Sequence, residues 1–160
     1  MLDGRVKLND LPHTDLDWSD RLADSKQLVV AGKYEEAVKA YEDFLRNPMA
    51  PNDKIAAAYY NIGVIQIGLV QKVKGIKVDP ESIDLDGAET NFTQAIHYFP
   101  KMAPAYLQRA SIFTAKNQYD AALKDCSAAM KYEKDPEERK RIRELRQIIH
   151  EQTSSPLEGV

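Results

Sequence analysis

Apolar residues recur at spacings of three and four along most of the chain, in short runs that halt at turn residues and then resume. That period is the mark of amphipathic helices. Gly32 and Asn117 stand where a helix must stop in a left-handed residue, just before Tyr34 and Tyr119 open the next run. The helices therefore come in pairs joined by tight turns. A last helix is predicted from about Pro136 to Gln152. Asp135 with Glu138 makes a capping-box-like start, and Pro136 suits the first turn. Its narrow stripe of Ile142, Leu145 and Ile149 is surrounded by Arg139, Lys140, Arg141, Arg143 and Arg146, the composition of a solubilising cap on a stack.

The pairs repeat. Ala88, Phe92, Ala95 and Ile96 return 34 residues later as Ala122, Cys126, Ala129 and Met130. Tyr59, Ile62 and Gly63 correspond to Tyr106, Arg109 and Ala110 at an offset of 47, so thirteen residues are inserted within the middle unit. Ala37, Val38, Tyr41 and Phe44 match Ala88, Glu89, Phe92 and Ala95 at an offset of 51. Small residues at Ser25, Gly63 and Ala110 let the two helices of each pair approach, and Ala37, Ala88 and Ala122 do so from the other side. Each unit alone leaves one face bare, so the units must stack.

On these residues the chain resembles the tetratricopeptide repeat (TPR) family, whose unit is a helix, a tight turn and a second helix. The likeness is carried by Tyr59-x-x-Ile62-Gly63, by Tyr106-x-x-Arg109-Ala110-x-x-Phe113, and by the second-helix pattern of Ala37 to Tyr41 and Ala88 to Phe92. It implies an all-α, right-handed α-solenoid of three helix hairpins, the middle one lengthened, with a C-terminal capping helix. The expected units are 18–51, 52–100 and 101–134, followed by the cap at 136–152, with 1–17 as an extension and 153–160 as a flexible tail. The first unit departs from the pattern: Arg21 and Asp24 occupy places that the family fills with an aromatic and a leucine, and a shifted Trp18 is expected to fill the gap.

The insertion has two readings. The helical stripe continues past Gly63 through Ile65, Leu69, Val70 and Val73, and resumes after Pro80 with Ile83, Leu85 and Ala88, so both middle helices are expected to gain a turn or two, with the break at Gly75. The tip carries Lys72, Lys74, Ile76, Lys77 and Val78. These residues either staple the lengthened helices together or form a knob on which a partner docks.

Composition narrows the function. A chain of 160 residues is one domain's worth and needs no disulfides to hold a core. The net charge of −3 supplies no basic field for nucleic acid. No run reaches the eighteen or so apolar residues of a membrane span, and the start of the chain lacks the features of a secretory signal. The single Cys126 suits a reducing compartment, which makes a cytoplasmic address the expectation. There is no Gly-rich phosphate loop and no nucleophile elbow, and His13, His97 and His150 fall on separate elements. A non-catalytic protein without metal or cofactor is expected.

What remains is binding. The resemblance implies a concave surface, lined by the first helices of successive units, that holds an extended peptide or a partner's helix. Its residues here are Leu22, Lys26 and Val29 in unit one, Tyr60, Asn61, Val64 and Ile67 in unit two, and Leu107, Gln108, Ser111 and Thr114 in unit three. One subclass of the family clamps the carboxyl terminus of heat-shock chaperones with cations and asparagines. Of those places only Asn61 matches, the others holding Leu22, Lys26, Pro104 and Gln108. The expectation is an adaptor for a protein or peptide partner, with a structural subunit or assembly factor of a larger complex as the alternative and a co-chaperone as the weaker rival.

Overall fold

The computed structural model describes residues 15–68, 75 and 83–154. Seven helices lie among them: α1 (Asp15–Val30), α2 (Tyr34–Leu45), α3 (Asn52–Gln66), α4 (Leu85–Tyr98), α5 (Ala103–Ala115), α6 (Tyr119–Tyr132) and α7 (Pro136–Ser154). Each helix packs on the one before and the one after it. The first helices of neighbouring units also meet, α1 against α3, and α5 meets α7. This is an all-α solenoid of three hairpins closed by a single helix.

The small residues sit where the pairs close. Ala37, Ala88, Ala110 and Ala122 are wholly buried, and Ser25 nearly so. The turns of the first and third pairs end in the left-handed region at Gly32 (φ 77°) and Asn117 (φ 58°), each of which donates its backbone N–H back to the helix it terminates. In both of the later units a tyrosine of the first helix stacks on the tyrosine that ends the second: Tyr59 on Tyr98 at 5.9 Å and Tyr106 on Tyr132 at 6.2 Å between ring centroids.

The first unit solves its missing apolar positions by turning α1. Trp18 is buried and meets Phe44 edge to face at 5.7 Å, and Leu22 and Ser25 follow it inward at helical spacing. Leu22 is thus a core residue, only 5% exposed, and not part of a groove. Val29 is half buried and packs against the same core. The physical reason is that Arg21 and Asp24 cannot be buried cheaply, so the stripe of Trp18, Leu22 and Ser25 takes their place.

The middle helices are not lengthened. α3 ends at Gln66, where Gly68 takes up a left-handed conformation (φ 65°) and donates to the Ile65 carbonyl at 2.9 Å. α4 begins only at Leu85, capped by Asp84, whose Oδ1 accepts from the Gly87 N–H at 2.9 Å. The described ends of the two helices thus stop at Gln66 and start at Leu85, and residues 69–74 and 76–82 between them fall outside the described residues. The neck of the connection is fastened: the Asp84 N–H donates to the Gln66 carbonyl at 3.1 Å, and Asn91 Nδ2 donates to Gln66 Oε1 at 2.8 Å. Lys72, Lys74, Ile76, Lys77 and Val78 fall outside the described residues.

The stack is tied along its length by charge. Arg109 forms a two-pronged pair with the buried Asp125, at 2.7 and 2.9 Å, and reaches Thr93 Oγ1 of the preceding unit at 3.0 Å. Lys116, in the third turn, bridges Asp86 and Glu89 on α4, the latter at 2.6 Å. The cap is latched by Arg139, which donates to the carbonyls of Met130 and Glu133 at the end of α6, each at 2.8 Å. Ile142 and Ile149 are buried, with Leu145 half buried beside them, as the stripe predicts. Asp135 does cap α7, accepting from Glu137 and Glu138, but the reciprocal half of a capping box is absent among the described residues. The Asp135 N–H goes to Glu133 Oε1 instead.

Candidate functional site

Polar groups from two other helices act on the Tyr60 hydroxyl of the middle unit. Tyr60 comes from α3, Gln108 from α5 and Glu138 from the first turn of α7. Tyr60 is half buried, its ring tilted on Phe92 at 5.6 Å, which fixes the direction of its hydroxyl. The hydroxyl pKa is raised above the ordinary tyrosine value, first by burial and then by the negative charge of Glu138, while hydrogen bonding with Gln108 pulls the other way. Gln108 and Glu138 thus both act on the Tyr60 hydroxyl.

Asn61 follows Tyr60 on α3 and is half buried, with no side-chain hydrogen bond to another described residue. Its carboxamide can both donate and accept, as an extended backbone requires of a partner. Ser111 and Thr114 are less available, since their hydroxyls donate back to the carbonyls of Leu107 and Ala110 at 3.1 and 2.8 Å. Val64 and Ile67 are half buried against the core of the middle unit, and Leu107 against that of the third. From unit one only Lys26 remains exposed.

The sequence reading missed Glu138. Its signal was present but was absorbed by the capping argument, because Glu138 stands at the third position of the cap helix. Two hollows lie elsewhere. One, of about 790 Å³, opens between the first turn and the end of α3, beside Tyr34, Val38 and Ile65. The other, of about 430 Å³, lies along the outer side of α7 beside Arg143, Arg146 and His150. Neither contains Tyr60, Asn61 or Gln108.

Cys126 is fully buried in the third-unit core, and burial pushes its thiol up to about 11, which suppresses the thiolate. Arg109 is raised, first by its hydrogen bonding with Asp125 and despite the opposing effect of burial, so the pair is committed to each other. No described helix is long and apolar enough to cross a membrane. Among the described residues no group of three or more His, Cys, Asp or Glu could hold a metal.

A family model described as tetratricopeptide repeat matches residues 25–68 and 84–138, passing over the inserted segment. No curated protein matches the chain. Solved structures are similar in fold. The TPR2B domain of yeast Sti1, in a pHsp70 complex, is 20% identical with a TM-score of 0.62, over 86% of this chain and 99% of that one. The Yersinia enterocolitica type III secretion chaperone SycD, in complex with a peptide of the translocator YopD, is 13% identical with a TM-score of 0.66, over 88% and 98%. The first TPR of Spaghetti (RPAP3), bound to an HSP90 peptide, is 17% identical with a TM-score of 0.59, over 91% and 99%.

Proposed function

Because this chain belongs to the tetratricopeptide repeat family, we propose that it is a non-catalytic adaptor that holds a peptide or protein partner along the concave side of its first helices. The observation that carries this reading is the half-buried Asn61 on α3, whose amide has no hydrogen bond to another described residue, beside the half-buried Tyr60, whose hydroxyl Gln108 of the next unit acts on. An extended chain laid across those helices would find backbone partners in the amides. Val64, Ile67 and Leu107 offer half-buried apolar surface for its side chains. A cytoplasmic setting agrees with the single, buried and reduced Cys126. The structures solved with bound peptides support the reading by analogy of fold.

The test is photo-crosslinking in the native source. A benzophenone amino acid is placed at Asn61 or Gln108, and in a control at the exposed Lys124 of α6. The groove reading expects one protein to be trapped from both of the first two positions and not from the third. Crosslinks confined to Lys124 would move the interface to the opposite side of the stack.

A further inference from the structure

We propose that the cap helix α7 is the first half of a fourth hairpin, and that its bare outer side seats an amphipathic helix of a partner protein that presents acidic residues to Arg143 and Arg146. This surface is separate from the groove described above and does not depend on it.

The register of α7 places it. Ala105 and Ile112 of α5 are buried and share a core with Ala88, Phe92 and Ala95 of α4. Ile142 and Ile149 stand 37 residues further along. They too are buried, in a core with Ala122, Cys126 and Ala129 of α6, which are themselves the repeat of Ala88, Phe92 and Ala95. α7 therefore lies on α6 as α5 lies on α4, in the position of a first helix.

A first helix has a second working face. α5 uses it to hold α6: Tyr106 stacks on Tyr132, Arg109 pairs with Asp125, and Ala110 and Phe113 join the core of Ala122 and Cys126. At the same offset of 37 from these four residues of α5, α7 carries Arg143, Arg146, Gln147 and His150. All four are exposed, and all four line the hollow of about 430 Å³. The hollow thus falls where the second helix of a fourth pair would lie.

Charge selects the occupant. Arg146 stands at the place of Arg109 but has no counterpart of Asp125, and neither it nor Arg143 makes a side-chain hydrogen bond or ion pair with a described residue. The one acid along this side, Glu151, accepts from Gln147 at 2.9 Å. A guanidinium is best satisfied by a carboxylate that takes both of its prongs, as Asp125 does for Arg109. The two arginines are one helical turn apart, so acids three or four residues apart on an incoming helix meet both. Small residues beside them would let that helix approach, as Ala122 lets α6 approach α5.

The experiment uses the full chain and a library of amphipathic helices displayed on a stable helical scaffold and varied along one face. Selected helices are then made as peptides and measured by fluorescence anisotropy against wild type, Arg143→Gln, Arg146→Gln and Asn61→Ala, with melting recorded for each. The expected result is helices with Asp or Glu three or four residues apart, weakened about tenfold by either arginine variant at unchanged melting and unaffected by Asn61→Ala. Replacing the peptide's acid with Gln should weaken binding similarly, and combining it with Arg146→Gln should add little. No enriched helix, or binders indifferent to both arginine variants, would overturn the proposal. Equal binding of an unstructured oligoglutamate of the same charge would overturn it as well, by showing a general anion patch in place of a helix seat. Dimerisation of the chain alone, abolished by Arg146→Gln in sedimentation, would give the surface to a second copy and overturn the partner helix. None of these outcomes bears on the groove.

Discussion

The α-carbon of Gly63 lies against the edge of the Phe92 ring, so close that an added Cβ would stand 2.8 Å from one ring carbon and 2.9 Å from the next. Phe92 is wholly buried and cannot swing aside without disturbing Ala88, Ala95 and Ile112 around it. The contact leaves no room for a side chain between α3 and α4 at this point, and so limits the spacing of the middle pair. Gly63→Ala is expected to destabilise the fold by about 1–3 kcal/mol, as overpacking of a closed core does. Urea denaturation measures it. Phe92→Leu placed in the Gly63→Ala background should recover part of the loss, and no recovery would mean that the added methyl acts through the backbone of α3 instead.

The pair of Arg109 and Asp125 should behave as a buried unit. Asp125 is almost fully covered and accepts both prongs of the guanidinium. Asp125→Ala leaves Arg109 uncompensated and should cost about 3 kcal/mol or more, whereas replacing both residues with apolar side chains of similar size should cost much less. A double-mutant cycle by chemical denaturation decides it. Costs that simply add would show that the two residues contribute independently.

Much of this was readable in the sequence because the determinants are steric and local. Gly63, Ala88 and Ala110 announce close helix approach by their size, and Gly32 and Asn117 announce turns by their tolerance of positive φ. The insertion was misread for a physical reason. Apolar residues keep helical spacing past Gln66, but Gly68 already ends the helix, and a stop signal in the backbone outweighs a stripe in the side chains. Leu22 was misassigned because the repeat register fixes positions along α1 but not its rotation, which Trp18 decides. The effect of Glu138 on Tyr60 could not be read from spacing, since the cap helix does not continue the 34-residue register.

The cap should prove indispensable through one arginine as well as through its apolar stripe. Truncation after Lys134 would uncover Cys126 and Ala129, now buried against Ile142 and Ile149. The expected outcome is aggregation or loss of cooperative melting. Arg139→Ala removes two hydrogen bonds to the last carbonyls of α6 and should cost about 1–3 kcal/mol without aggregation. Equal melting of the Arg139→Ala protein and wild type would show that water replaces the guanidinium there.

Alkali should loosen the fold in a defined window. Burial lifts the Cys126 thiol from 9.0 to about 11. The folded state therefore holds that proton more tightly than the unfolded chain. The contribution is complete below pH 9 and is lost as the pH rises from about 9 through about 11. Tyr41, pushed up to about 12 by the same cause, adds a further decline at higher pH. Stability curves from pH 8 to 11 should be flatter for Cys126→Ala than for wild type. At pH 8 the native thiol should resist a disulfide reagent and react at once in denaturant. Rapid native labelling would place the thiol at the surface.

The neck at Gln66 and Asp84 gives the solenoid a docking bay for engineering. Because the chain leaves and returns at one hydrogen-bonded point, the entropy of closing the connection changes only as a weak logarithm of its length. A fluorescent reporter or a second binding module whose termini lie close together could be spliced in place of residues 69–82, and the cooperative melting of the hairpins on either side should survive the exchange.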